Sequence, residues 1–155
     1  MQEPQIKRFD AQTVLSIRHT GSYDEIGQVY HELYNWAREH DVKLTAPGFT
    51  VFLVPPSEFD PASAVFDVCL PVDGRPEPDA RVKVQQIEAS TVASVTVKGP
   101  YAQVPARYSE LLAWLSVMGR DIVGPPREVY IVHPGTKDEG DRSQFITEIQ
   151  FPIEA

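Results

Sequence analysis

The feature that most constrains this chain is that it repeats itself. Residues 13–54 lie on residues 91–132 without a gap, at a constant offset of 78, and 12 of the 42 aligned positions are identical. The identities include Gly21/Gly99, Tyr23/Tyr101, Tyr30/Tyr108, Leu33/Leu111, Trp36/Trp114 and Pro47/Pro125, and the chain has no other tryptophan. After a loop of different length the match resumes at an offset of 81, setting Asp67-Val68-Cys69-Leu70-Pro71-Val72 on Glu148-Ile149-Gln150-Phe151-Pro152-Ile153. Two copies are too few for a solenoid, which needs at least three units. The chain reads as one half-domain duplicated within 155 residues, a length that suits a single domain with a real core.

Both halves follow one plan. Thr13 to His19 and Thr91 to Val97 are rich in β-branched residues and alternate, which predicts strands. A Gly-x-Tyr step follows in each, where glycine lets the chain turn sharply towards a helix. Ser22 or Asp24 suits the cap of the first helix, and Pro105 the first turn of the second. Ile26, Tyr30, Leu33 and Ala37 then recur at helical spacing, as do Val104, Tyr108, Leu111 and Leu115, so each helix carries one apolar stripe for packing on a sheet. Trp36 and Trp114 fall on the flank of that stripe. A proline-bearing loop and two strands (50–54 and 64–70; 128–132 and 144–151) complete a β-α-β-β unit.

Further strands near 5–10 and 82–88 are expected at sheet edges. The expected organisation is a first module over 1–74, a linker over 75–79 and a second module over 80–155. The predicted fold class is α+β: an antiparallel-rich sheet with two helices on one side, related by a pseudo-two-fold axis with a cleft at its centre.

Composition narrows the function. The net charge of −8 opposes binding to phosphate backbones, and aromatic and basic residues are not interleaved as a nucleic-acid platform. No apolar run approaches the roughly 20 residues that span a bilayer, and the first residues lack the basic and apolar regions of a signal peptide. A cytoplasmic protein without a membrane role is expected. The lone cysteine, Cys69, lies in an apolar run and reads as a small buried hydrophobe. The histidines, His19, His31, His40 and His133, have no metal-ligand spacing, and no phosphate- or dinucleotide-binding motif is present. Neither a metal nor a cofactor is expected.

Carboxylates and aromatics remain. Glu148 lies among apolar residues of the last strand, and Asp67 is its counterpart in the first half. Glu128 breaks the repeat, since Thr50 stands at the equivalent position. Tyr23, Tyr30, Tyr34, Trp36, Tyr101, Tyr108, Trp114 and Tyr130 recur on elements expected to face the pseudo-axis and supply an aromatic wall. Rings with one or two carboxylates hold organic cations, through attraction to the π-face and through charge in a partly dry pocket.

Gly99-Pro100-Tyr101, Trp114, Gly124-Pro125-Pro126-Arg127-Glu128-Val129-Tyr130 and Thr147-Glu148-Ile149-Gln150-Phe151-Pro152-Ile153 together resemble the GyrI-like (gyrase-inhibitory-protein-like) family. The resemblance covers essentially the whole chain, duplication included. It implies tandem β-α-β-β modules with a ligand cleft between them, as in the effector-binding domains of MerR-type and AraC-type regulators. The ligand-binding set it implies is Glu128, Glu148, Tyr130, Trp114, Trp36, Tyr101 and Tyr108. The sequence departs from the regulators in having no DNA-binding helices ahead of the first module, so it looks like a stand-alone member.

Three functions follow from the resemblance. The first is binding of lipophilic or cationic drug-like molecules. The second is hydrolysis of small molecules, with Glu148 or Glu128 as general base toward water and Tyr101 or Tyr130 as hydrogen-bond donor to the substrate. The third is inhibition of a DNA-handling enzyme such as gyrase, which would make a regulator or gyrase its protein partner. On charge alone, the purified protein should not retard duplex DNA in a gel-shift assay at physiological salt. Micromolar, salt-sensitive binding would overturn that expectation.

Overall fold

The computed structural model describes residues 3–54, 61–100, 103–132 and 145–155. The chain runs β1 (Gln5–Phe9), β2 (Gln12–Gly21), α1 (Ile26–Glu39), β3 (Phe49–Val54), β4 (Ala64–Pro71), β5 (Lys83–Ile87), β6 (Ser90–Lys98), α2 (Val104–Met118), β7 (Arg127–Val132) and β8 (Ile146–Ile153). The fold is α+β, and every strand pair within a unit is antiparallel.

Two compact units form. One is Ala11–Glu88, with strands ordered β5-β2-β4-β3; the other joins Met1–Asp10 to Ala89–Ala155, with strands ordered β1-β6-β8-β7. The division differs from a cut at residues 75–79. β1 precedes the first repeat but pairs with β6 of the second, Gln5 opposite Ser94 and Phe9 opposite Ser90. β5 precedes the second repeat but pairs with β2 of the first, Gln12 opposite Ile87. The physical reason is that a β-bonded edge takes whichever partner completes its ladder, and sequence adjacency does not decide this.

In the unit holding α2, that helix packs on β6. Its buried residues Val104, Leu111 and Leu115 meet Ala93, Val95 and Val97 of β6 and Ile149, Phe151 and Ile153 of β8 in one apolar cluster. Alternation along both strands therefore sends odd-numbered residues to the helix side. Pro105 sits in the first turn of α2, as expected, and Gly119 ends the helix in the left-handed conformation, φ 66°. In the other unit α1 packs on β4 and β2 and buries Ile26, Val29, Leu33 and Ala37. Ser22 opens a single 3-10 turn, Tyr23–Glu25, ahead of α1, and its backbone N–H donates to the Glu25 carboxylate at 2.6 Å.

Tyr30 of α1 is largely buried. Desolvation pushes its hydroxyl up to about 12, against a lesser opposing effect of a hydrogen bond from the Gly48 backbone. Gly48 has to be glycine for this approach, because a Cβ there would lie 2.5 Å from the Tyr30 ring. Gly48→Ala should therefore destabilise the protein by about 1–3 kcal/mol in urea denaturation, as overpacking does. In a Tyr30→Ala background the same change should cost almost nothing; a full additional loss would place the strain elsewhere.

Candidate functional site

The register of β7 on β8 decides where the acids go. Residues directly opposite in an antiparallel pair point to the same face. Glu128 is opposite Ile149 and Tyr130 opposite Thr147, so these side chains share the helix side of the sheet. Glu148 is opposite Val129 and Thr96, which places it on the other face. The two glutamates therefore emerge on opposite sides of one sheet.

On the helix side, Glu128 is 1% exposed. A buried carboxylate needs partners, because leaving one unpaired is costly. The Tyr108 hydroxyl donates to Glu128 Oε2 at 2.7 Å from α2. Burial, then the nearby Glu128 charge and the hydrogen bond to it, push the Tyr108 hydroxyl far above its ordinary value; Tyr130 adds to this. The shift favours the protonated hydroxyl that donates to Glu128. Its ring meets Phe151 edge-on, with centroids 5.8 Å apart at 88°. Tyr130 is buried on the same face, and Trp114 packs, partly buried, against the apolar cluster under α2. Beside them Thr147, 1% exposed, holds its Oγ1 without a hydrogen-bond partner among the described residues.

The unit containing α1 supplies an internal comparison. Thr50 takes the place of Glu128 and is likewise fully buried, opposite Val68 as Glu128 is opposite Ile149. Tyr30 takes the place of Tyr108 and meets the backbone of Gly48 rather than a carboxylate. Duplication has thus kept the tyrosine in both units and given an acid to one.

On the opposite face, Glu148 is 5% exposed and pairs with Lys7 of β1, Nζ to Oε1 2.8 Å. The side-chain amide of Gln150 donates to its other oxygen. Its counterpart Asp67 is held in the same manner by Arg18, whose Nε and Nη2 donate to its two oxygens at 2.9 and 3.1 Å. Both last-strand acids therefore close an ion pair with a base of the same sheet face, Asp67 with Arg18 of the neighbouring strand β2 and Glu148 with Lys7 of β1, across β6. Arg127 lies on this face too, its guanidinium 4.4 Å above the Phe9 ring.

Trp36 is engaged differently. Its indole donates to Asp79 Oδ2 at 2.8 Å, and its ring stacks on His40 with centroids 3.9 Å apart. Tyr101 and His133 lie outside the described residues. Among the described residues no three His, Cys, Asp or Glu side chains cluster as a metal site, and no helix is long and apolar enough to cross a membrane.

Sequence reasoning missed Thr147. It precedes Glu148 and so occupies the helix face, but finding it requires the β7–β8 register, which places it opposite Tyr130.

A GyrI-like small-molecule-binding domain matches residues 2–154. The chain belongs to that family, as the Gly-Pro-Pro-Arg-Glu-Val-Tyr and Thr-Glu-Ile-Gln-Phe-Pro segments implied. Among solved structures it resembles the C-terminal domain of EcmrR at 25% identity and a TM-score of 0.80, covering 98% of this chain and 97% of that one. It also matches EcmrR in a cryo-EM structure with DNA, at 25% identity and a TM-score of 0.87, over 98% of this chain. The chain spans only 57% of that longer EcmrR chain. A third structure, SAV2435 bound to tetraphenylphosphonium, is alike in fold at 16% identity and a TM-score of 0.66, covering 99% and 95% of the two chains. No curated protein matches the chain in sequence.

The Asp79 contact yields a pH test. Backbone N–H groups of Val82 and Arg81 and the Trp36 indole hold the Asp79 carboxyl below its ordinary value of 3.8, the Val82 bond most of all. A carboxyl lowered in the folded state contributes stability above its ordinary value and loses it as pH falls through the lower folded value. In a Trp114→Phe, His40→Gln variant, which removes the stacked imidazole, Trp36 emission should hold steady down to about pH 4 and change only below 3.8. Asp79→Asn should abolish that step; its persistence would locate the titrating group elsewhere.

Proposed function

We propose that the protein binds a lipophilic organic cation, with Glu128 as the counter-charge and Tyr108, Tyr130 and Trp114 as the aromatic surroundings. The observation that carries this reading is the buried Glu128 carboxylate, hydrogen-bonded by Tyr108 at a position where the other repeat has threonine. Membership of a small-molecule-binding family supports it, and SAV2435, alike in fold, binds a bulky phosphonium ion.

The physics is a balance of desolvation and pairing. Glu128 has already left water on folding, and the Tyr108 hydroxyl is one of the groups that hold its carboxylate. A cation with an apolar shell adds charge pairing at small extra desolvation cost, because its own charge is diffuse and weakly hydrated. Tyrosine rings add attraction at their π-faces. The Thr147 hydroxyl offers a further polar contact for a ligand group. Glu148 has Lys7 as its counter-ion on the other face and enters the proposal as a structural acid.

The test is calorimetric titration with tetraphenylphosphonium and with neutral triphenylphosphine oxide. Glu128→Gln should weaken cation binding by about 1–3 kcal/mol and leave the neutral ligand within about twofold. Glu148→Gln should leave cation binding intact and lower the stability instead. Equal losses for cation and neutral ligand with Glu128→Gln, or a cation-selective loss with Glu148→Gln, would refute the assignment.

A further inference from the structure

The two helices differ most on the face turned away from the sheet. At about 100° per residue, the outward residues of α2 are Ala106, Ser109, Leu112, Ala113, Ser116 and Val117, and every one of them is exposed. At the repeat offset of 78, the same places on α1 hold Gln28, His31, Tyr34, Asn35, Arg38 and Glu39. The scaffold thus accepts polar and charged side chains there, and α1 has the solvated back of an ordinary amphipathic helix. α2 lacks one. Val117 is 86% exposed, Leu112 and Met118 are exposed beside it, and Ile122 and Val123 continue the apolar character past the helix end. Single exposed apolar residues are ordinary, but a contiguous apolar face marks a contact surface.

Charge indicates what covers it. The chain carries −8, yet in residues 104–123 the bases Arg107 and Arg120 cancel the acids Glu110 and Asp121. At the margin of the outward face lies Glu110, ion-paired with Arg107. A lipid surface is a poor occupant. Helices that lie on membranes carry Lys and Arg on their polar flank, and anionic headgroups repel a chain of −8. Unlike proteins are selected by complementary charge, and this face has none to select with. A second copy needs none, because a two-fold axis sets the same neutral, apolar face against itself and leaves the acids elsewhere in water.

We propose that two copies of the chain associate through the outward faces of their α2 helices, antiparallel across a two-fold axis. Ser109 and Ala113 form the seam, where small side chains let the two backbones come close, and Leu112 and Val117 flank it on either side. The helix has 15 residues, a length of about 22 Å, so the contact lies at the low end of interface sizes and the dimer is weak and reversible.

Sedimentation velocity on the whole protein, from about 1 to about 500 µM, tests this. The mass should rise with concentration from 17.4 kDa towards twice that value. A Ser116→Arg, Val117→Glu variant gives α2 the residues that α1 carries at those places, so the helix should tolerate them. It should raise the dimer Kd about tenfold or more, and Ala113→Arg should do the same from the seam. Arg38→Ala on α1 should leave the Kd within about twofold. Raising NaCl from about 0.05 to about 0.5 M should tighten the dimer, because screening removes repulsion between the acidic remainders. A chain still monomeric at about 500 µM, or a dimer loosened by salt, overturns the proposal. So does a dimer unmoved by both α2 substitutions, which would use another surface. Cosedimentation with phosphatidylglycerol vesicles that the Ser116→Arg, Val117→Glu variant loses would make lipid the occupant and overturn it too. No ligand enters these measurements, so their outcome is separate from that of the cation-binding reading.

Discussion

Eight consecutive residue pairs between β6 and β8, from Lys98 opposite Ile146 to Thr91 opposite Ile153, fix every functional placement in the unit that holds α2. Once that ladder is set, each residue's face follows from parity. Ile149 and Phe151 go to the helix, and Glu148 and Gln150 go to the other side. β7 then adds to β8 with Glu128 opposite Ile149, and this alone aims the carboxylate at Tyr108. A slip of one residue in β7 would turn Glu128 away from Tyr108 to the face that carries Lys7 and Glu148, and would turn Arg127 to the helix side.

The duplication separates scaffold from chemistry. Residues needed for the fold recur in both halves: the Gly-x-Tyr step, the tyrosine and leucine of the helix stripe, and an acid of the last strand held by a base. Differences at buried positions carry another meaning. Thr50 against Glu128 and Val29 against Arg107 each replace a neutral interior residue with a charged one, and both charges fall in the same unit. Buried charge seldom improves stability over a well-packed apolar residue. Its presence in one copy and absence from the other means that the scaffold shared by the two halves does not require it.

Much of the fold was readable in the sequence. Alternating β-branched runs marked β2 and β6, the helical stripes marked α1 and α2, and the prolines and glycines marked their ends. Edge strands near 5–10 and 82–88 were foreseen, but their partners were not, because strand pairing depends on hydrogen bonds between segments about 80 residues apart. The candidate site was half readable. Glu128 stood out by breaking the repeat, and Tyr108 by its place on the stripe. Which acid shared a face with which ring depended on the β7–β8 register, and a β-bulge between Tyr130 and Val132 shows how easily such a register shifts. Trp36 looked like part of an aromatic wall, yet its indole is engaged by Asp79, a partner 43 residues away that no local pattern announces. Arg107 was visible beside Val29 in the repeat alignment, but its weight came only from its burial.

The exchange of β1 and β5 between repeats has a consequence for how the chain is made. The unit from Ala11 to Glu88 is contiguous, so a ribosome delivers all of it in one stretch. The other unit is split: β1 is synthesised first and must wait for β6, some 80 residues later, before its hydrogen bonds can be satisfied. Vectorial synthesis thus favours early folding of the contiguous unit, and the charged unit closes last. During that wait β1 is an unpaired five-residue strand on a tether, with the same hydrogen-bonding edge to offer the β6 of a neighbouring copy as its own. At high local concentration the same contact that completes one molecule can link two, an intertwined dimer by strand exchange, with no new interface evolved for it.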